Sequence, residues 1–285
     1  MTKRVVRREA HAKLNVFLRL HRRRVDGYHE LESLVLPLSL ADRITARGAS
    51  SLEVRVKGAE TLTKAVPAGG LNLALVAALA LGEACPGVAG AHITIEKRIP
   101  VAAGLGGGSA DAAATLLALS DLWGCGLEPT ALADIGSRVG SDVPALMAGG
   151  PVLMWGRGDV TESAAVGRLW WVLVPFPFGV RSPDAYRWWD EGGRVSGPGP
   201  DALLVAAAAG DAAALGPLLF NDLEPPVFAH HPELGKAKVR LLEAGALGAI
   251  MAGSGSTVAG LARDRAHAKE LVGSFPGSTV AFGPP

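Results

Sequence analysis

The feature that most constrains this chain is a glycine cluster at residues 104–108, where four of five positions are glycine. Backbone without Cβ atoms can turn its N–H groups toward an anion. Residues 109–119 follow directly and are rich in Ala and Leu, which favour a helix. The pattern predicts a loop at a helix N-terminus, where free N–H groups and the helix dipole bind phosphate. A tight strand-to-helix turn without a ligand is the alternative interpretation.

The glycine cluster matches neither of two common phosphate-binding loops. It lacks the GxxxxGK[ST] pattern of a Walker-type loop, and it is not GxGxxG within a βαβ unit. The sequence therefore favours a phosphate site of another kind.

Strand signals dominate the first part of the chain. Apolar residues recur at every second position over residues 12–20, which is close to the period of two that predicts a strand. Further strands are predicted at residues 34–40, 44–56, 93–99 and 170–176, and on both sides of a glycine-rich turn at 253–255.

Helices are predicted around and after these strands. Asn72 is a suitable N-cap for a helix over residues 73–81. The remaining helices are predicted at residues 109–119, 202–219 and 234–244, with a Gly- and Pro-rich loop at 191–200. This mixture favours an α+β fold. The 285 residues suggest two domains, 1–160 and 161–285, divided near residues 158–167.

Composition and charge exclude several classes of protein. The chain is 49% hydrophobic, but its longest apolar stretches fall short of the ~20 residues that span a membrane. The formal net charge of +1 argues against a general affinity for nucleic acid. No uninterrupted apolar segment follows the basic N-terminus, so we expect a cytoplasmic protein. Cys85 and Cys125 lie far apart without a CxxC motif, and we expect two buried thiols.

Six segments together carry a family resemblance. Residues 100–112 read PVAAGLGGGSADA and resemble the phosphate-binding motif of the GHMP kinases. The other segments are AKLNVFL at 12–18, RVDGYHEL at 24–31, GSDVP at 140–144, NDLE at 221–224 and MAGSGS at 251–256. Taken in their order along the chain, the six segments resemble the GHMP kinases that act on a cytidine-diphosphate-linked polyol. The DGYH segment separates these kinases from the rest of the superfamily, which has the glycine loop but lacks this segment.

The resemblance implies a fold and a reaction. The fold would be the two-domain GHMP architecture, with mixed sheets, helices on one face and the active site in a cleft between the domains. The reaction would be ATP-dependent phosphorylation of the 2-hydroxyl of 4-diphosphocytidyl-2-C-methyl-D-erythritol, in the non-mevalonate route to isoprenoid precursors. Mg²⁺ would accompany ATP. We expect a monomer or a weak homodimer, with no nucleic-acid or membrane partner.

The resemblance also assigns roles to individual residues. Asp142 would be the catalytic carboxylate that orients the hydroxyl and accepts its proton, and Lys13 its partner, which keeps the carboxylate ionised. From local sequence alone, Asp142 would be a helix N-cap and Lys13 an edge-strand charge. The implied ATP-binding residues are Asn72, Lys97, Pro100, Gly104, Leu105, Gly106, Gly107, Gly108 and Ser109.

The implied substrate-binding residues lie in three parts of the chain. They are Asn15, Tyr28, His29, Asp142, Ser182 and Tyr186. Residues 180–186 resemble the family's substrate strand. One departure is Ala110, where the family usually has a second serine.

Three other functions remain open at this point. The first is a GHMP kinase for another small alcohol, which would need the glycine loop but not Tyr28 and His29. The second is a nucleotide-binding sensor without turnover, although such a protein could dispense with Lys13 or Asp142. The third is a structural or RNA-binding α+β protein, suggested only by the basic run at residues 22–24.

Overall fold

The structure is a computed structural model that describes residues 4–67, 69–88, 90–193 and 196–285. Its strands are β1 (Val5–Arg23), β2 (His29–Ala49), β3 (Glu53–Gly58), β4 (Gly90–Lys97), β5 (Val152–Trp155), β6 (Val160–Ser163), β7 (Leu169–Val174), β8 (Phe220–Asn221), β9 (Gly248–Met251), β10 (Val258–Ala262) and β11 (Thr279–Gly283). Its α-helices are α1 (Glu60–Thr63), α2 (Leu73–Ala84), α3 (Gly107–Trp123), α4 (Pro129–Val139), α5 (Val143–Met147), α6 (Ser182–Glu191), α7 (Asp201–Ala209), α8 (Ala212–Leu215), α9 (Glu224–His230), α10 (Pro232–Glu243) and α11 (Arg265–Gly273). The predicted α+β class is confirmed.

The chain forms two compact units, neither of which is continuous in sequence. The first consists of Met1–Ala12, Leu40–Val101 and Gly106–Gly149, and the second of Lys13–Ser39, Ala102–Leu105 and Gly150–Pro285. β1 and β2 each contribute residues to both units. The domain boundary near residues 158–167 stays a prediction, because these units are not defined by a single cut in the chain. Among the described residues, no helix has the length and apolar character needed to cross a membrane.

The first unit is a sheet with helices on one face. Its strands follow the order β3, β4, β2, with β3 parallel and β2 antiparallel to β4. Ile44 of β2 is paired with Ile95 of β4, and both are fully buried. The apolar face packs with α2, α3 and α4 in one core, to which α3 contributes mainly alanines and leucines. Small side chains let α2 and α3 approach closely and hold α3 firmly against the sheet.

The second unit contains an antiparallel sheet in the order β11, β7, β10, β9. β7 is the strand predicted from the apolar run at 170–176, and Trp171 within it is fully buried. In the same unit β1 pairs in parallel with β8, where the rings of Phe17 and Phe220 stack 5.5 Å apart. β2 pairs with β5 in this unit, and β5 with β6.

Two predictions of secondary structure are wrong. The helix predicted over 202–219 is interrupted after α7, because Gly210 takes a left-handed conformation and Asp211 caps the short helix α8. The segment expected to be a substrate strand contains the beginning of α6 instead. A proline in the first helical turn followed by Asp184 is a helix-start signal that the family resemblance overrode. The loop predicted at 191–200 lies partly outside the described residues.

The expectation of two free thiols is also wrong. Cys85 and Cys125 form a disulfide, with Cα atoms 5.6 Å apart. Cys85 is the C-cap of α2, and Cys125 follows Gly124, the C-cap of α3. The pairing arises because α2 and α3 pack side by side, which a separation of 40 residues in sequence does not reveal.

Candidate functional site

The glycine loop contributes Gly104 and Leu105 to the second unit. Gly104 has φ +78°, and a Cβ atom there would overlap the carbonyl oxygen of Ala252 and lie 2.9 Å from that of Gly255. Leu105 O accepts a hydrogen bond of 2.9 Å from the backbone N–H of Lys13. The loop is thus held between Lys13 of β1 and the turn after β9. Position 104 admits only glycine.

A chain of buried hydrogen bonds begins at Lys13. Its ammonium donates to Asn15 Oδ1 at 2.6 Å, and Asn15 Nδ2 donates to Ser33 Oγ at 2.8 Å. Ser33 Oγ donates in turn to the carbonyl oxygen of Phe17. Lys13 is only 6% exposed, so its charge is held in a defined position with little screening by water.

The turn after β9 approaches the same lysine. A Cβ atom at Gly253 would lie 3.0 Å from Lys13 Nζ and 3.5 Å from Asn15 Oδ1. Asn221 fixes this turn, since its Nδ2 donates to the carbonyl oxygens of Met251 and Gly253 at 2.9 and 2.7 Å. The segments 12–18, 221–224 and 251–256, which were singled out in sequence, are therefore neighbours within the second unit.

The rest of the glycine loop begins α3 in the first unit. Gly106 is the N-cap in a left-handed conformation, and within the described part of the chain no side chain caps this helix. The first N–H groups of a helix have no partner in the helix itself. Gly107, Gly108 and Ser109 thus present backbone donors at the positive end of a 17-residue helix. This is the geometry predicted for phosphate binding.

Asp142 and Ser109 lie in the same unit. Asp142 is the N-cap residue of α5, as its local sequence predicts, but its side chain makes no capping hydrogen bond. A Cβ atom at Gly140 would lie 3.8 Å from Ser109 Oγ, which brings the segment 140–144 next to the first turn of α3. Asp142, the carboxylate predicted to be catalytic, belongs to this segment and is half-buried.

Two residues predicted to bind ATP have other partners in the first unit. Asn72 is the N-cap of α2, as predicted, and its Oδ1 accepts from the N–H groups of Ala74 and Leu75. The Lys97 ammonium lies between the carboxylates of Asp42 and Asp111, with 2.9 Å to Asp111 Oδ2. Burial lowers the pKa of Lys97, but the two carboxylates outweigh it and raise the pKa above its usual value. The ammonium is bound to two carboxylates, and a direct contact of Lys97 with ATP stays a prediction.

His29 and Tyr186 meet in the second unit. Their rings stack 5.1 Å apart, and Trp189 meets the His29 ring edge-on at 5.6 Å. His29 Nε2 is 3.0 Å from Asp190 Oδ1, and the histidine is 7% exposed. The arrangement holds an imidazole rigidly among aromatic faces, which suits recognition of a planar base.

Tyr28 and Ser182, which are also predicted to bind substrate, are more exposed. Tyr28 is half exposed, and the guanidinium carbon of Arg157 lies 5.4 Å from the centre of its ring. Ser182 Oγ is 3.0 Å from Ser254 Oγ at the beginning of α6. Tyr28 therefore presents an aromatic face near the surface, whereas His29 next to it is buried.

Sequence reasoning missed four residues that complete these clusters. Asp190 and Trp189 contact His29 from 160 or more positions away, and Asp42 and Asp111 hold Lys97. Asp111 stood within the glycine motif, but its spacing alone does not reveal an ionic partner. Trp189 is buried against His29, a predicted site residue.

Known protein families match two parts of the chain. Residues 72–150 match the GHMP kinases N terminal domain, and residues 203–277 match the GHMP kinases C terminal family.

Curated relatives match almost the whole chain. The 4-diphosphocytidyl-2-C-methyl-D-erythritol kinase of Pelotomaculum thermopropionicum is 42% identical over 269 residues, which cover 93% of this chain and 92% of the relative. That of Symbiobacterium thermophilum is 43% identical over 263 residues, 90% of each protein.

Solved structures agree. A crystal structure of 4-(cytidine 5'-diphospho)-2C-methyl-D-erythritol kinase superposes with a TM-score of 0.82 at 35% identity, covering 98% of this chain and 100% of the other. A homoserine kinase from Cytophaga hutchinsonii superposes with a TM-score of 0.71 at 19% identity, covering 99% and 95%, and shares the fold.

Proposed function

Since this chain belongs to the family of 4-diphosphocytidyl-2-C-methyl-D-erythritol kinases, we propose that it transfers the γ-phosphoryl group of ATP to the 2-hydroxyl of that substrate. The observation that carries the choice of substrate is the cluster that the buried His29 forms with the half-buried Tyr186 and Asp190. His29 belongs to the DGYH segment, which other GHMP kinases lack, and Tyr186 and Asp190 belong to α6. A kinase for homoserine or mevalonate has no base to recognise and no need of such a cluster.

In this proposal the N-terminus of α3 binds the phosphates of ATP. Backbone N–H groups of residues 106–109 donate to phosphate oxygens, and the helix dipole offsets their charge. Transfer of a phosphoryl group passes through a loose transition state with charge spread over its oxygens. Fixed donors in a site without water stabilise such charge better than mobile ones.

Asp142 and Lys13 supply the remaining chemistry. Asp142 orients the substrate hydroxyl and accepts its proton as the new O–P bond forms. Its half-buried position, in the segment beside the first turn of α3, supports this role. Lys13, held by Asn15, supplies a fixed positive charge that offsets the charge of the transferring group.

In this proposal Mg²⁺ binds together with ATP. Over the described ranges, no three His, Cys, Asp or Glu side chains are grouped in a way that could hold a metal ion. Mg²⁺ commonly keeps several waters and is held by nucleotide phosphates with one or two protein oxygens. The Ser109 hydroxyl, on the first turn of α3, is the donor that fits best, and it would serve in place of the serine missing at position 110.

The proposal also covers the setting of the reaction. We propose that the protein works in the cytoplasm, because ATP and the cytidylated substrate are both water-soluble. We also propose that it is a monomer or a weak homodimer.

A comparison of two acceptors tests the substrate. We expect ADP release in a coupled assay with 4-diphosphocytidyl-2-C-methyl-D-erythritol, and at least ~10³-fold lower kcat/KM with the 4-phosphate that lacks the cytidylyl group, because remote binding energy is lost. Equal rates with both acceptors would contradict recognition of the base. If the protein binds ATP but phosphorylates neither, it is a sensor or a kinase for another alcohol.

A further inference from the structure

The side chain of Asn221 joins β8 to the turn after β9 within the second unit. Asn221 is buried, and its Nδ2 donates to the carbonyl oxygens of Met251 and Gly253 at 2.9 and 2.7 Å. Its Oδ1 accepts a hydrogen bond of 2.9 Å from the backbone N–H of Leu223. Both N–H donors of the amide and its oxygen are therefore used, so the side chain holds the turn in one defined position.

The backbone around Asn221 is tied to the strand that carries Lys13. β8 pairs in parallel with β1, with Asn221 opposite Leu18, and the N–H of Asp222 donates to the carbonyl oxygen of Leu18 at 2.9 Å. The Asp222 carboxylate accepts in turn from the N–H of Leu20 at 2.7 Å. Asn221 is thus fixed relative to β1 by its backbone and relative to the turn after β9 by its side chain.

Gly253 is the point where this turn meets the lysine. Its φ is +53°, and a Cβ atom there would lie 3.0 Å from Lys13 Nζ and 3.2 Å from the carbonyl oxygen of Gly104. The backbone of the turn therefore lies against the ammonium with no room for a side chain between them. Because Asn221 binds the carbonyl oxygen of this same glycine, a displaced Asn221 would change the space around the ammonium.

Glu224 holds the beginning of the same turn from the other side. It is the first residue of α9 and is buried, and its Oε1 accepts from the N–H of Met251 at 2.7 Å. Its Oε2 accepts from the ammonium of Lys238 on α10 at 2.5 Å. Met251 is thus bound through its N–H by Glu224 and through its carbonyl oxygen by Asn221. Glu224 holds the end of β9, whereas Asn221 also holds the turn itself.

From these contacts we propose that Asn221 is a positioning residue, which fixes the Lys13 ammonium for phosphoryl transfer by holding the turn at residues 252–256 against it. The inference rests on the proposed function, because it takes Lys13 to stabilise the transferring phosphoryl group. A charge stabilises the transition state only where the opposite charge develops. Displacement of the turn therefore slows the chemical step more than it weakens the binding of either substrate.

Steady-state kinetics of Asn221→Asp tests this proposal. The carboxylate has the shape of the amide and can still accept from the N–H of Leu223, but it has no N–H to donate to the two carbonyl oxygens. Repulsion between the carboxylate and these oxygens displaces the turn. We expect kcat to fall about 10- to 100-fold, with the KM values for ATP and the cytidylated substrate within about 3-fold of the wild type.

A double-mutant cycle with Lys13→Ala shows whether the effect passes through the lysine. Rates are measured as single turnovers with protein in excess over the cytidylated substrate, so that slow variants can be compared. In protein that already lacks the ammonium, we expect Asn221→Asp to lower the rate by less than about 3-fold. An equal loss in both backgrounds, or no loss in the wild-type background, overturns the inference and leaves the proposed function intact. A wild type that phosphorylates no cytidylated substrate overturns both.

Gly253→Ala is a second probe, which keeps Asn221 and decides the matter if Asn221→Asp does not fold. Its methyl group would press on Lys13 Nζ, and we expect kcat to fall at least about 5-fold. Gly277→Ala is the matched control, because Gly277 also has positive φ, +82°, but an added Cβ atom there meets nothing within 4 Å. We expect this control to keep the kcat of the wild type. Thermal unfolding shows which variants are folded at the assay temperature. A folded Gly253→Ala protein with the kcat of the wild type overturns the inference.

Discussion

Replacing Asp142 by asparagine is expected to lower kcat about 10²–10⁴-fold, or about 3–5 kcal/mol of barrier, while the KM values for ATP and the cytidylated substrate change little. The amide keeps the shape of the side chain but cannot accept the proton of the attacking hydroxyl. Because the two side chains have the same size and shape, we expect the fold to stay intact. Steady-state kinetics with both substrates measures the effect.

The matched control for this prediction is Asp134→Asn. Asp134 is an exposed carboxylate on α4 in the same unit and should tolerate the change without loss of activity. A reduction of less than about 5-fold in Asp142→Asn would mean that orientation and charge stabilisation supply nearly all the catalysis. In that case the assignment of Asp142 as the catalytic base would be wrong.

Replacing Gly104 by alanine is expected to be the most damaging change in the glycine loop. The residue has φ +78°, which costs an alanine about 1–2 kcal/mol, and the added methyl group would overlap the carbonyl oxygen of Ala252. The backbone must shift to relieve this overlap, at a further cost of about 1–3 kcal/mol. We expect a clear loss of stability in urea, and kcat/KM at least ~10²-fold lower because a small displacement of the loop misplaces the phosphates.

Gly124→Ala separates the two parts of that cost. Gly124 also has positive φ, +66°, but an added Cβ atom there meets nothing within 4 Å. We expect this variant to lose only the conformational part, about 1–2 kcal/mol, and to keep its activity. If Gly104→Ala behaved like Gly124→Ala, the close approach of the loop to the turn after β9 would not matter for function.

The local features of the site could be predicted from sequence because they depend on short-range chemistry. The glycine cluster places backbone donors at a helix N-terminus whatever else the chain does, and α3 follows it as predicted. Asn72 caps α2 for the same reason, since the side chain bonds to N–H groups two and three residues ahead. Alternation over residues 12–20 likewise predicted part of β1.

The partners of the predicted residues could not be found in this way. His29 and Asp190 are 161 residues apart, and Lys97 and Asp42 are 55 apart. Such pairs depend on how strands and helices are arranged in space, and this arrangement cannot be read directly from a single sequence. Lys97 is an example, because the sequence around the glycine loop does not reveal that Asp42 and Asp111 are its partners.

Two predictions, the strand at residues 180–186 and the free thiols of Cys85 and Cys125, were wrong although the sequence contained a contrary signal. The beginning of α6 carries its own helix-start signal in Ser182, Pro183 and Asp184, but the resemblance to a substrate strand was preferred. The disulfide between Cys85 and Cys125 depends on the close packing of α2 and α3, for which their alanine content was the available clue.

The most direct test of the central claim is a single competition reaction. Wild-type protein is given Mg-ATP and equal amounts of 4-diphosphocytidyl-2-C-methyl-D-erythritol, homoserine and mevalonate, and the products are identified by mass spectrometry and ³¹P NMR. We predict one phosphorylated product, the cytidylated substrate carrying a new phosphomonoester on its 2-hydroxyl. Phosphorylation of homoserine or mevalonate instead, or of another hydroxyl of the cytidylated substrate, would contradict the proposed function.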